Sequence, residues 1–177
     1  MDTNKIKALL GKEAIIDNNI ICDLSELGCI ELLNKIFSKV LIPKSIVDTE
    51  IIQFRDSLEN IEYREAVIET IEGYSFMSKI LTDHGGLTDC DAEVVTIAYE
   101  KYVLCTSNEK RIMTTCKENN IEFTGTLGIL CCAYEHSIID IQTLEMLINK
   151  LQYDCSCFLS NKILDKVRNN YKIKDRQ

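Results

Sequence analysis

Acidic residues recur in this 177-residue chain where apolar runs end. Glu13-Ala14-Ile15-Ile16 closes on Asp17, and Lys39-Val40-Leu41-Ile42 runs through Pro43 towards Asp48 and Glu50. Asp91 and Glu93 open an apolar helical stretch, and Tyr102-Val103-Leu104-Cys105-Thr106 passes straight into Ser107-Asn108-Glu109-Lys110. If the apolar runs are parallel strands, these four places lie along one edge of the sheet, because ligands and catalytic groups gather outside the carboxyl ends of such strands. Carboxylates packed together repel, and their pKa values rise unless a cation compensates. Oxygen donors suit a hard divalent ion, Mg²⁺ or Mn²⁺. The chemistry that follows is phosphodiester hydrolysis, in which the metal orients and deprotonates a water and neutralises charge on the phosphate oxygens. Each acid also has an ordinary reading: Asp17 as a helix cap, Asp91 and Glu109 as favourable charges at helix starts.

The elements that must position these groups can be read in outline. Continuous apolar runs at 13–16, 39–42, 102–106 and 121–124 suit parallel strands covered on both faces. Residues 20–27 form a helix that stops at Gly28, and 29–37 carry apolar residues at helical spacing. Pro43 fits the first turn of a helix over 45–54. Residues 55–72, rich in Glu, read as an acidic helix followed by a strand around 74–77. Gly85-Gly86 is the clearest break, after which Thr88 caps a helix opened by Asp91 and Glu93. Helices follow over 127–134, 141–151 and from Phe158, the last capped by Ser160, while the residues before Gly11 carry no strong signal. Strand and helix in alternation predict a parallel sheet flanked by helices, with three or four strands in its core.

Composition narrows the class. A chain of this length with 46% hydrophobic residues can bury one core, so a single domain over 1–177 is expected. Nine cysteines without recurring metal-ligand spacing, behind an opening Met1-Asp2-Thr3-Asn4-Lys5 with no secretory pattern, predict free thiols in a reducing cytoplasm. Cys131-Cys132 and Cys155-x-Cys157 are the only close pairs, and His84 and His136 add too little for a four-ligand zinc site. No apolar run approaches the roughly 18 residues of a membrane span. A net charge of −8 argues against nucleic-acid binding by broad electrostatics, so any such role needs local patches or metal ions. One patch is the tail with Lys162, Lys166, Arg168, Lys172, Lys174 and Arg176, equally a solvated helix face.

In this order the signals resemble a PIN domain, the ribonuclease fold of VapC-type toxins. The resemblance rests on Ile15-Ile16-Asp17-Asn18-Asn19, on Val40-Leu41-Ile42-Pro43 leading to a helical acid, and on Asp91-Ala92-Glu93. It continues through Thr106-Ser107-Asn108 in place of Thr-x-Asp, Gly125-Thr126-Leu127-Gly128, and the helix start Phe158-Leu159-Ser160. The last two are similar to a prokaryotic PIN-like subfamily of nucleic-acid-binding proteins, and the likeness spans about 14–172. It implies a three-layer α/β/α fold with a mainly parallel sheet of four or five strands, its core over about 14–135 and its C-terminal helices over about 141–172.

Carried over by position, Asp17 resembles the family's first metal-binding acid and Asp91 the acid opening the central helix. The family's second acid falls about six residues past the Pro-led strand end, on Thr49; Glu50 is taken, with Asp48 as the alternative. Asn108 stands where the family has Asp and can coordinate through its carbonyl without bringing charge. Glu109 can substitute, and Glu93 can add a metal ligand, although residues two apart on a helix do not share a face. The implied function is a metal-dependent endoribonuclease using Mg²⁺ or Mn²⁺, the toxin of a toxin–antitoxin pair, with RNA as substrate and an antitoxin and a second copy as partners. The alternative is a catalytically weakened PIN-like module that binds RNA or a protein. A flavodoxin- or receiver-like domain needs a Gly-rich phosphate loop or a lysine after the last strand, and neither is evident.

Overall fold

The computed structural model describes residues 2–50, 55–83, 85–153 and 159–173. Its centre is a five-stranded, all-parallel sheet in the order β3-β2-β1-β4-β5. The strands are β1 (Glu13–Ile16), β2 (Lys39–Pro43), β3 (Arg64–Ala66), β4 (Leu104–Thr106) and β5 (Phe123–Thr124). Parallel strands need helical crossovers, and these place helices on both faces, giving the three-layer α/β/α fold. The chain runs outward from β1 to β3 and then returns to β4 on the other side of β1. That reversal makes a topological switch point at the β1–β4 seam.

Burial explains the strand sequences. Ala14, Ile15 and Ile16 have no exposed surface, and Val40, Leu41, Ile42, Leu104 and Cys105 are buried too, as strands covered on both faces require. Over one face lies α7 (Asp89–Lys101), packed on β1, β2 and β4, with α6 (Ile71–Asp83) and α8 (Lys110–Glu118) against it. The other layer contains α2 (Asn18–Leu27), α3 (Leu32–Ile36) and α9 (Thr126–Glu135), with α1 (Thr3–Lys7) and α10 (Ile141–Tyr153) packed on α9. α11 (Asn161–Tyr171) closes against α10. The short α4 (Lys44–Thr49) and α5 (Arg55–Leu58) follow β2.

Several expectations are corrected. The acidic stretch is not one helix: it breaks into α5 and the edge strand β3, and the segment around 74–77 is the middle of α6 and not a strand. Two of the three β3 residues are exposed, so β3 has no apolar run to announce it. The Asn34 side chain steers the chain into it, donating to the Glu62 carbonyl at 2.7 Å and accepting from its N–H at 2.8 Å. The start of α6 is fixed by Glu100 of α7, which accepts from the N–H groups of Glu69 and Thr70. Cys29 and Ile30 are buried in a turn outside α3. Residues 3–7, before Gly11, are helical, with Asp2 as the cap. β4 begins at Leu104, because Tyr102 ends α7 in a left-handed conformation and is 95% exposed. Pro43 is the last residue of β2 and caps α4. Ser160 stands at the cap of α11 without a side-chain cap bond, and Arg168 of the basic tail is buried against Asn149.

The expected end of the 45–54 helix, Phe158, His84, the Cys155-x-Cys157 pair, Lys174 and Arg176 lie outside the described residues. Cys22, Cys90, Cys105, Cys116, Cys131 and Cys132 are free thiols. No described helix is long and apolar enough to cross a membrane.

Ile15→Ala, at the centre of the sheet, should lose about 2–5 kcal/mol in a denaturant titration, whereas Tyr102→Ala should stay within about 0.5 kcal/mol.

Candidate active site

The first polar side chain after β1 is Asp17, only 5% exposed, and it caps α2. Its Oδ1 accepts from the Asn18 N–H at 2.8 Å, and its Oδ2 accepts from the Ser107 hydroxyl at 2.6 Å and from the Asn19 amide. It is thus a helix cap and a candidate site acid at once. Burial pushes its carboxyl up to about 7; the hydrogen bond from Ser107 opposes that, Asp91 adds to it, the Asn18 N–H opposes it, and Glu50 adds a further rise. Asp17, Asp91 and Glu50, far apart in the chain, therefore share one electrostatic field at the carboxyl end of the sheet.

Each partner acid is held differently. Asp91 belongs to the capping box of α7, its Oδ2 accepting from the Thr88 N–H at 2.9 Å while its own N–H donates to Thr88 Oγ1 at 3.1 Å. Glu50 is exposed at the end of α4, beside Cys90, whose thiol is pushed up to about 12, first by burial and then by Glu50. Asp48 faces away, paired with Lys44 at 3.1 Å. Glu93 turns to α4, where it accepts from the Ser45 hydroxyl.

After β4 two adjacent polar residues part. Ser107, 1% exposed, donates to Asp17 and accepts from the Glu109 N–H at 3.0 Å. Asn108 sends its side chain to Asp23 and Thr126 instead of to Asp17. Glu109 is exposed at the cap of α8, without a side-chain cap bond. So the structure brings Asp17, Asp91 and Glu50 into one field, ties Glu93 to Ser45, turns Asn108 to Asp23 and Thr126, and leaves Glu109 exposed at the start of α8. Ser107, Asn19, Asp23, Thr126, Ser45 and Cys90 were not singled out from sequence. For Asn19 and Asp23 a signal existed, since their four-residue spacing places them on one face of α2.

The donor set suits a hard divalent ion in kind: all its members are carboxylates, and one is buried at a cost that a cation would relieve. The arrangement is looser than a formed cage. Among the described residues, no three His, Cys, Asp or Glu side chains gather closely enough to hold an ion. Asp17, Glu50 and Asp91 would have to draw together to do so.

A family model described as a PIN domain matches residues 13–172, nearly the whole chain. No curated protein and no solved structure matches it.

The buried Asp17 gives a pH signature. Because its carboxyl is raised from 3.8 to about 7, its contribution to stability is full below about pH 4 and is lost as pH rises through about 7. In chelator, Asp17→Asn should gain stability over the parent by on the order of 3–4 kcal/mol between pH 4 and pH 8. Parallel curves in denaturant titrations at the two pH values would show an ordinary carboxylate.

Proposed function

The chain belongs to the PIN-domain family, a nuclease-type fold, and from that premise we propose that it is a metal-dependent ribonuclease. The observation that carries the reading is the shared field of Asp17, Asp91 and Glu50, three acids delivered by three elements to the carboxyl end of the sheet. Asp17, Glu50 and Asp91 would hold the ion, Mg²⁺ or Mn²⁺. When bound, it would supply an activated water and neutralise charge on the scissile phosphate.

The chain's own residues do the positioning. Ser107 and Asn19 fix the Asp17 carboxylate, and the α7 capping box fixes Asp91. Lys110 and Arg111 open α8 just beyond β4, so local positive charge stands at the site end of a chain whose net charge is −8. Arg111 is braced by the Gly86 carbonyl at 2.5 Å. The toxin half of a toxin–antitoxin pair is the setting we propose, with an antitoxin and a second copy of the chain as protein partners.

A second reading is favoured by the end of β4, where Ser107 and Asn108 bring no charge: a weakened module that binds RNA or a protein partner without cutting. Incubation of single-stranded and structured RNA with the purified chain and Mn²⁺ separates the two. Cleavage that falls about 100-fold or more in Asp17→Asn, Glu50→Gln and Asp91→Asn supports the nuclease. Intact RNA bound equally well with Mn²⁺ or chelator supports the module.

A further inference from the structure

Ser107 and Asn108 differ in what the fold asks of them. The β1–β4 ladder pairs Ile16 with Thr106, and the Ser107 N–H still donates to the Thr124 carbonyl at 2.9 Å. Successive side chains of an extended segment point to opposite faces, so when Ser107 faces Asp17 its neighbour cannot. Asn108 instead enters the layer of α2 and α9.

There it fills a site that needs both a donor and an acceptor. Its Nδ2 donates to Asp23 Oδ2 at 2.6 Å and to Thr126 Oγ1 at 2.8 Å. Its Oδ1 accepts from the Thr126 N–H at 3.1 Å, satisfying a free donor in the first turn of α9. Thr126 in turn donates its hydroxyl to Asp23 Oδ2 at 2.6 Å. Asp23 is 4% exposed, and Thr126 has no exposed surface. Gly125 leaves the room required: a Cβ there would run into Asn108 Oδ1 and lie 3.2 Å from the Ser107 carbonyl.

We propose that Asn108 is a positioning residue, a clamp joining the β4 turn to Asp23 of α2 and Thr126 of α9, and that Ser107 holds the fourth place beside Asp17. An amide meets both demands of the clamp, whereas an aspartate would set a second acceptor against Asp23. Asp at 108 therefore does not complete the acid site; Asp at 107 does. The Ser107 half of the proposal rests on the metal-dependent reading above, and the Asn108 half does not.

The test uses the full chain. Thermal unfolding in chelator is compared for the parent, Asn108→Asp, Asp23→Asn and the double variant that exchanges acid and amide. Asn108→Asp should lower the Tm by about 10 °C, and adding Asp23→Asn should recover at least about half of that. An unchanged Tm in Asn108→Asp, or no recovery in the double variant, overturns the clamp. Mn²⁺ binding by calorimetry reads the other half. Ser107→Asp should tighten it about tenfold and Asn108→Asp should not. The reverse order overturns the assignment. Should Ser107→Asp fail to fold, Ser107→Ala decides: Mn²⁺ affinity weakened at nearly parental Tm supports it, and unchanged affinity overturns it. Mn²⁺ bound by none of the proteins overturns the Ser107 half together with the metal-dependent reading, while the Tm comparison stands on its own.

Discussion

The site depends on the parallel seam between β1 and β4. Ile16 pairs with Thr106, the Asp17 N–H donates to the Thr106 carbonyl at 3.1 Å, and the Ser107 hydroxyl reaches Asp17 one residue beyond the last pair. Both strands are buried on both faces, so their register is strongly specified. A slip of one residue would exchange the faces of every side chain on β4. It would turn Ser107 away from Asp17, point Asn108 at it, and strip Asp23 and Thr126 of their partner. The packing of Ala14, Ile15, Leu104 and Cys105 thus determines which polar atom meets which carboxylate.

Burying Asp17 is unfavourable by itself, and the structure only partly offsets it. Three donors, the Asn18 N–H, the Asn19 amide and the Ser107 hydroxyl, satisfy its oxygens. Asp91 and Glu50 oppose its ionisation. A group left in that balance suits a positive partner better than it suits water or a proton donor, which is the ground for proposing a metal beside it. Hydrogen bonds to neutral donors orient the carboxylate without neutralising it, so they prepare the site and do not replace a cation.

The fold was legible where local chemistry decides it. Thr88 caps α7 as the sequence suggests, Gly28 ends α2 at a φ of 73°, and the apolar runs of β1, β2 and β4 are strands. It was illegible where a distant side chain decides. β3 is an edge strand of Arg64, Glu65 and Ala66, steered by Asn34 about thirty positions earlier, and α6 starts where Glu100 caps it from about thirty positions later. Single-sequence periodicity registers neither. The same holds at the site: the acids could be named from residue type and order, but which of Ser107 and Asn108 meets Asp17 follows from the pairing of β4 with β1.

The acids also differ in how far they can move, and that bears on how a loose set could close. Asp17 is buried and bound through both oxygens, and Asp91 is anchored through one oxygen at the start of a helix whose body is core. Glu50 is exposed at the end of a six-residue helix of which Ile46 is the buried residue. Drawing the set together therefore costs least at Glu50, which is exposed, and most at Asp17, which would have to surrender its cap and its link to Ser107. An ion arriving at this end of the sheet would find Asp17 already placed, would need Asp91 to turn its free edge, and would recruit Glu50 from the surface. Asp17 sets where such a centre would form, and Glu50 sets how readily it would.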